Sequence, residues 1–181
     1  RMALVSSLNY TDNITQEDYM EECLKFSSIV EKKLCIEKEV FNFDYKKNTR
    51  IKIAFLSGDL RGHSVSNFLY DLFKNINKEK FELILISNLK EIEKDKVSLK
   101  LNSFADKWFD VFNYSDLQLV QFIRSVNIDI LIDLSGFTEG NRFEVVARRC
   151  AKIQISWLGY NNSLGIKNLD YLISDRNLIK N

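Results

Sequence analysis

The sequence has 181 residues, 45% apolar and 28% charged, which is enough for one well-packed domain with an appendage. A formal net charge of +1 gives no electrostatic reason to expect nucleic acid or an anionic membrane as a partner. No apolar run approaches the roughly 20 residues of a spanning helix, and no signal-peptide pattern opens the chain. We therefore expect a cytoplasmic protein, in which Cys23, Cys35 and Cys150 are reduced and buried rather than bonded to each other or to zinc.

The first predicted element is an amphipathic helix over residues 15–35. Thr15 followed by Asp18 approximates a capping box, and apolar side chains then recur every three or four residues. A polar, lysine-bearing stretch over 42–50 follows. We therefore divide the chain into a helical linker segment at 1–48 and a second domain at 49–181.

In the second domain, short apolar runs alternate with helical patterns. The predicted strands are 51–57, 81–87, 107–112, 128–135, 152–158 and 169–175. The predicted helices are 64–76, 115–126 (capped by Ser115) and 142–150, with a partly helical charged segment after the second strand. Nearly continuous Ile, Leu and Val in the strands indicates burial on both faces, as in a parallel sheet covered by helices. The predicted fold is a doubly wound α/β domain with an N-terminal helical extension.

Three polar loops hold all six glycines of the chain, and each loop follows a predicted strand: 57–64, 135–142 and 158–165. In a parallel sheet these strand ends lie at one edge, where α/β proteins bind ligands. Glycine allows the backbone to approach a ligand closely, although strand-to-helix turns also use glycine for purely structural reasons. The first strand is not followed by G-x-G-x-x-G, and 159–167 has the wrong glycine spacing for a P-loop, so neither nucleotide motif is predicted.

The only histidine, His63, lies at the strand-to-helix corner of the first loop. Asp59 precedes it by four residues, close enough to orient the imidazole or to share a proton network with it. The amides of the following helix could also bind an anion or keep the ring neutral. A capping or loop-bracing histidine is the alternative.

Three arginines lie between the fourth and fifth predicted strands, and each has a functional or a structural interpretation. Arg142 could bind a phosphate or carboxylate with two hydrogen bonds, or it could be a solvated surface side chain. Arg148 and Arg149 are interpreted as surface charges. Trp157, at the end of a strand, fits either the core or a sugar platform.

The three loops and their strands carry a family resemblance. The segments "IKIAFLSGDLRGHSVSNFL", "IDILIDLSGFTEGNR" and "RRCAKIQISWLGYNNSLGIKNLDYLISD" resemble, in the same order, segments of the catalytic region of O-GlcNAc transferases and their bacterial and SPINDLY-type relatives. "SSLNYTDNITQEDYMEEC" resembles the linker between tetratricopeptide repeats and that region in bacterial members. The resemblance spans nearly the whole chain.

This resemblance implies that residues 49–181 are the Rossmann-like N-terminal catalytic lobe of a two-lobed glycosyltransferase of the GT-B class. Such an enzyme would transfer GlcNAc or a related sugar from a UDP donor, with inversion and without a metal cofactor, to Ser or Thr of a protein or peptide acceptor. In the family most UDP-binding residues belong to a second lobe, and upstream tetratricopeptide repeats hold protein acceptors. We therefore expect the 181 residues alone to be inactive.

The resemblance also assigns roles to individual residues. His63 matches the active-site histidine, and Asp59 matches the aspartate proposed to help remove the acceptor proton. Leu158 and Gly159 match positions that line the sugar pocket. Arg142 matches a functionally important arginine, and Ser64 is included with these three among the expected substrate-binding residues.

Some positions depart from the family pattern. Leu60 replaces phenylalanine, and Phe137 stands where His or Tyr is common. Asn161, Asn162 and Ser163 replace Pro-Gly-Thr, which predicts a less constrained loop. Two other functions therefore stay open: a non-catalytic α/β interaction module that kept the scaffold, and a two-lobed glycosyltransferase acting on a lipid or glycan.

Overall fold

The computed structural model describes residues 2–34, 41 and 49–176. The helices are α1 (Met2–Ser7), α2 (Gln16–Lys33), α3 (Ser64–Asn75), α4 (Lys96–Asn102), α5 (Asp116–Val126) and α6 (Phe143–Ala147), with 3₁₀ turns at Leu8–Tyr10 and Glu91–Glu93. The strands are β1 (Ile51–Ser57), β2 (Phe81–Ser87), β3 (Lys107–Asp110), β4 (Ile130–Asp133), β5 (Ile153–Trp157) and β6 (Tyr171–Ile173). Within the described ranges, no helix is long and apolar enough to cross a membrane.

Helix starts follow the capping signals in the sequence. The Thr15 hydroxyl accepts the Asp18 N–H at 3.1 Å, and the Asp18 carboxylate accepts the Thr15 N–H at 3.2 Å. The Thr15 hydroxyl also donates to the Asp18 carboxylate at 2.8 Å, and this bond, together with that from the Thr15 N–H, holds the pKa of Asp18 below its usual value. Ser115 begins α5 in the same reciprocal way with Gln118. These local bonds explain why both helices begin where the sequence predicts.

The six strands form one sheet in the order β3-β2-β1-β4-β5-β6, and every neighbouring pair is parallel. The predicted α/β doubly wound sheet is therefore confirmed. The strand order reverses between β1 and β4, which creates a switch point where loops leave the sheet in opposite directions.

Alternate side chains of the central strands enter two separate cores, one on each face of the sheet. On β1, Ala54 and Leu56 pack toward α1, α2, α5 and α6, whereas Phe55 packs toward α3 and α4. Tyr19 and Phe26 of α2 belong to the first core. The N-terminal helices thus share a core with the sheet instead of standing apart from it.

Some local predictions are corrected by the structure. The helix predicted at 142–150 is only α6, and the chain leaves it at Arg148 and Arg149, the latter with a left-handed φ of 50°. Arg149 is not a surface charge. Its guanidinium makes two bonds to the Asp170 carboxylate at 2.9 and 3.0 Å and a third to the Lys152 carbonyl, because the turn after α6 points it back at the sheet edge. Arg148 is likewise partly buried, and its guanidinium contacts the Leu34 carbonyl at 3.4 Å.

Other predictions fall outside the described residues or stay untested. Cys23 and Cys150 are buried, as predicted, whereas Cys35 lies outside the described residues. The boundary at 48/49 adjoins 42–48, which also lie outside them, so the division into two segments stays a prediction. Helix α1 was not expected as a separate element.

Candidate functional site

A cleft of about 460 Å³ opens at the switch point of the sheet. Loops that follow β1, β2, β3, β4 and β5 all contribute to its walls, among them residues Asp59, His63, Asn88, Gly140 and Gly159. This is the edge that the three glycine-bearing loops predicted.

Hydrogen bonds between side chains and backbone groups hold the first loop in a compact shape. The Ser57 hydroxyl accepts the Asp59 N–H at 2.9 Å, and the Ser66 hydroxyl donates to the Asp59 carbonyl at 2.9 Å. Farther along, the Gly62 N–H donates to Asp95 at 2.7 Å, and that carboxylate also caps α4. The backbone donors hold the pKa of Asp95 below its usual value. The loop is therefore fixed at both ends before any ligand arrives.

The imidazole of His63 is half exposed in the cleft and also caps α3. Its Nδ1 accepts the Val65 N–H at 3.3 Å, as the side chain of an N-cap residue does. A ring nitrogen that accepts a hydrogen bond carries no proton, so in this arrangement the proton of the neutral ring lies on Nε2. His63 therefore offers the cleft an N–H donor. The sequence left open whether His63 caps the helix or serves the site, and the structure allows one side chain to do both.

The Asp59 carboxylate lines the cleft next to His63 without being hydrogen-bonded to it. Its Oδ2 is 4.0 Å from His63 Nδ1, and its Oδ1 is 3.8 Å from the guanidinium of Arg61. Both separations exceed hydrogen-bond length. The side chain is only 14% exposed, yet its oxygens keep the capacity to accept a proton or a hydroxyl hydrogen. The backbone N–H of Val65, rather than this carboxylate, orients the imidazole.

Arg142 lies behind the cleft wall, where its guanidinium joins three loops. Nε and Nη2 donate to Asn88 Oδ1 at 3.0 and 2.9 Å, and Nη1 donates to Asp116 Oδ1 at 2.7 Å. Nη2 also reaches the carbonyls of Val111 and Phe112 at 3.2 and 3.1 Å. Of the five N–H groups of a guanidinium, at most one on Nη1 is left for a ligand. Arg142 is not a solvated surface side chain, and its geometry fits holding the loops together better than binding a substrate.

The second loop approaches the first at two glycines. A Cβ at Gly58 would lie 3.2 Å from the backbone of Gly140, which has a φ of 72°. The Asn88 amide donates to the Gly140 carbonyl at 2.8 Å and so ties the second loop to β2. A side chain at Gly58 would push against the Gly140 backbone by a few tenths of an ångström, and one at Gly140 would be strained by its left-handed φ, so glycine is favoured at both positions.

Asp133 ends β4 beneath the second loop and is buried. Its carboxylate accepts the backbone N–H groups of Ser135 at 3.3 Å and Gly136 at 2.9 Å. Burial outweighs these two bonds and raises the pKa of Asp133 to about 6. The turn that starts the second loop is thus built around a carboxyl group that titrates near neutral pH.

The third loop brings only one of its two predicted residues into the cleft. Gly159 lines it, and its backbone lies directly against the Leu134 carbonyl with no room for a side chain. Leu158, with a φ of 72°, packs instead against the core on the α3 side and borders a separate small pocket with Trp157 and Tyr160. Ser64 is the exposed first residue of α3 and is not among the residues that line the cleft.

Sequence reasoning missed the walls contributed by β2, β3 and part of the second loop. Lys90 and Glu93 follow β2, Phe112 follows β3, and Thr138 and Glu139 lie in the second loop. The Lys90 ammonium lies 5.6 Å from the centre of the Phe112 ring. Their position just after the carboxyl ends of strands was the available signal. The described part of the chain holds no cluster of three or more His, Cys, Asp or Glu placed to bind a metal ion.

A doubly wound parallel sheet with a carboxylate and an imidazole in its switch-point cleft defines a Rossmann-like lobe built to bind a small polar ligand. The chain belongs to glycosyl transferase family 41, since the sequence model of that family matches residues 16–179. This membership confirms the resemblance to the O-GlcNAc transferase and SPINDLY-like glycosyltransferases that the sequence motifs indicated.

Individual relatives agree with this assignment. The chain is 30% identical over 132 residues to an Arabidopsis thaliana protein named "Probable UDP-N-acetylglucosamine--peptide N-acetylglucosaminyltransferase SPINDLY", covering 69% of this chain and 14% of that protein. It is also 30% identical over 126 residues to the A. thaliana protein of the same description named SEC, covering 70% and 13%. A solved structure of a mutant O-GlcNAc transferase from Thermobaculum terrenum superimposes with a TM-score of 0.88 at 28% identity, covering 96% of this chain and 33% of that one. The chain thus spans a small part of the length of these relatives.

Proposed function

We propose that the protein containing this lobe transfers N-acetylglucosamine from a UDP donor to a Ser or Thr hydroxyl of a protein acceptor, with inversion at the sugar. The observation that carries the proposal is the cleft at the switch point. It places a carboxylate with free acceptor capacity and an imidazole N–H side by side in a chain that belongs to this glycosyltransferase family.

The two side chains fit different parts of such a reaction. The acceptor oxygen would form a bond to the anomeric carbon while the bond from that carbon to the phosphate oxygen breaks and UDP leaves. The hydroxyl proton would pass to Asp59, the carboxylate beside His63. His63 would donate through Nε2 to an oxygen of the sugar, the acceptor or the departing phosphate, and so act electrostatically rather than as the base.

The cleft lining carries both signs of charge, with the cations Arg61 and Lys90 available to a diphosphate and the carboxylates Asp59, Glu93 and Glu139 beside them. Arg61 is also held near Glu93 at 3.4 Å. We further propose that the transfer needs no metal ion, as the family resemblance implies, and that it takes place in the cytoplasm, where thiols such as those of Cys23 and Cys150 stay reduced.

Incubating the full-length protein with UDP-GlcNAc labelled in the sugar, and with protein extract, a lipid extract and free glycans as separate acceptors, tests the function. We expect label on proteins, lost on β-elimination, and unchanged in the presence of a chelator. UDP-glucose and UDP-GalNAc serve as donor controls. Label only on lipid or glycan would replace the protein acceptor by the alternative class, and donor binding without any transfer would favour the non-catalytic module.

A further inference from the structure

The third loop is held in place from behind by helix α2. The Tyr160 side chain points away from the cleft, and its hydroxyl lies 2.6 Å from that of Tyr19 on α2. The Asn9 amide donates to the Tyr160 oxygen at 2.5 Å, and the Tyr19 hydroxyl donates to the Ser163 carbonyl at 3.1 Å. The loop therefore rests on the N-terminal helices and not only on the sheet.

Counting protons fixes the direction of this chain of hydrogen bonds. A carbonyl can only accept, so the single proton of Tyr19 goes to Ser163. Tyr160 must then donate to Tyr19 and accept from Asn9. The hydrogen bonds thus run from Asn9 to Tyr160, from Tyr160 to Tyr19, and from Tyr19 to the Ser163 carbonyl in the backbone of the third loop. Burial raises the pKa of the Tyr19 hydroxyl well above its usual value, so it stays a donor at any working pH.

The same stretch of α2 makes further contacts with the loop backbone. The Ser27 hydroxyl donates to the Leu164 carbonyl at 2.8 Å, and the Cys23 thiol lies 3.4 Å from the Ser163 carbonyl. A Cβ at Gly165, where φ is 66°, would come within 2.7 Å of the Cys23 backbone. Asn161-Asn162-Ser163 was predicted to leave the loop less constrained, but α2 supplies the constraint.

Tyr160 connects α2 to both loops that border the cleft. It directly follows Gly159, whose backbone forms part of the cleft wall. Its ring also stands edge-on to Phe137 at 5.2 Å between centres and covers Gly136, both in the second loop. A shift of Tyr160 would therefore move both walls, and displacements of about 1 Å near reacting groups can lower rates by up to about 10²-fold.

We infer that Tyr19 is a positioning residue of the site: through the Tyr160 hydroxyl and the Ser163 carbonyl it sets where the Gly159 backbone lies in the cleft. The effect on rate rests on the proposed function, whereas the effect on the loop does not. The N-terminal helices are in this view a working part of the lobe, and not merely a spacer.

Tyr19→Phe in the full-length protein tests the inference because it removes one oxygen and keeps the ring in the core. Tyr10→Phe is the matched control, since Tyr10 belongs to the same segment and is 87% exposed. Amide hydrogen exchange is measured over 158–165, with 54–73 as an internal reference. We expect exchange over 158–165 to rise at least about fivefold in Tyr19→Phe only, with the reference segment unchanged.

The kinetic measurement is made well below the melting temperature of every variant. We expect Tyr19→Phe to lower kcat/KM for UDP-GlcNAc about tenfold, mainly through KM, while Tyr10→Phe matches wild type. Tyr160→Phe should give the same loss, and the double variant should add little to it because both hydroxyls belong to one chain of bonds.

Unchanged exchange over 158–165, or additive losses in the double variant, would overturn the inference. So would raised exchange with wild-type kinetics in an active enzyme. If wild type transfers no sugar, the proposed function fails while the exchange comparison still decides whether Tyr19 positions the loop.

Discussion

The two ring nitrogens of His63 have different surroundings. Nδ1 accepts the N–H of Val65 in the first turn of α3, and the half-exposed ring lines the cleft. The side chain therefore contributes both to the start of the helix and to the site. Its two contributions can be separated because asparagine is as good an N-cap residue but has no imidazole.

Replacing His63 by alanine and by asparagine in the full-length protein should separate stability from turnover. We expect both variants to lower turnover at least about tenfold, because both remove the Nε2 donor. Only His63→Ala should lose helix stability, by about 1 kcal/mol, because Asn keeps the cap. Melting temperature and turnover are measured on the same preparations. Wild-type turnover in His63→Asn would show that the histidine is needed only as a cap.

Asp133 predicts a specific pH dependence of stability. Its pKa in the folded chain is about 6, above the ordinary 3.8, so the folded state holds this proton more tightly than the unfolded state. Its contribution to stability is fully present below pH ~4 and is lost as the pH rises through about 6. Between pH 4.5 and 7.5 the loss amounts to about 2 kcal/mol.

Urea unfolding of wild type and Asp133→Asn at several pH values measures this contribution. Asparagine does not titrate, so the variant should gain about 2 kcal/mol relative to wild type between pH 4.5 and 7.5. Subtracting the unfolding free energy of wild type from that of the variant cancels the contributions of the other carboxylates. One of these is Asp106: desolvation raises its pKa, but the hydrogen bonds from Arg50 and the Leu83 N–H lower it below its usual value. If the difference in unfolding free energy between the two proteins did not change with pH, the Asp133 carboxyl would not be desolvated.

At the scale of elements, long polar side chains connect loops that the sheet brings to one edge. Arg142 at the start of α6 reaches Asn88 after β2 and Asp116 at the start of α5. Gln154 on β5 is fully buried, and its amide donates to Val146 and Asn168 while its oxygen accepts the Cys150 N–H. Gln154 thereby satisfies backbone groups that the short α6 and the turn after it leave unpaired.

Arg142→Lys should destabilise the 181-residue chain by about 3 kcal/mol, because an ammonium cannot reach Asn88, Asp116 and two carbonyls at once. Arg50→Lys is the matched control. Arg50 also contacts a carboxylate at 2.8 Å, but it is more exposed, and we expect a much smaller loss of stability than in Arg142→Lys. Urea unfolding gives both values. A stable Arg142→Lys chain with a raised KM for the donor in the full-length protein would restore the substrate-binding interpretation of this arginine.

At the scale of the whole molecule, the cleft is lined mainly by the loops at one edge of a single sheet. Matched relatives are several times longer than the chain. Tight binding and catalysis depend on preorganised groups around the whole ligand, and one wall supplies few of them.

Calorimetric titration of the 181-residue chain with UDP-GlcNAc should therefore show no micromolar binding, and no sugar transfer should be detected. The full-length protein under the same conditions is the reference. A micromolar Kd for the chain alone would mean that its cleft recognises the donor without further residues.

Local patterns in the sequence determined most of the architecture. Apolar runs and helical periods located β1, β2, α3 and α5 to within a residue or two, and Thr15 and Ser115 marked helix starts. Short-range periodicity and capping are encoded in neighbouring residues, so one sequence suffices to read them. The glycines at strand ends also located the edge that holds the cleft.

Only the tertiary structure decided what the site residues touch. Nδ1 of His63 accepts a hydrogen bond from Val65 and none from Asp59. The guanidinium of Arg142 donates to Asn88 and Asp116. Leu158 borders a separate pocket, although the next residue, Gly159, lines the cleft. The support of the third loop by α2 joins residues more than a hundred positions apart. Contacts of this kind depend on how the strands are ordered and how the helices dock, and no local pattern of residues encodes them.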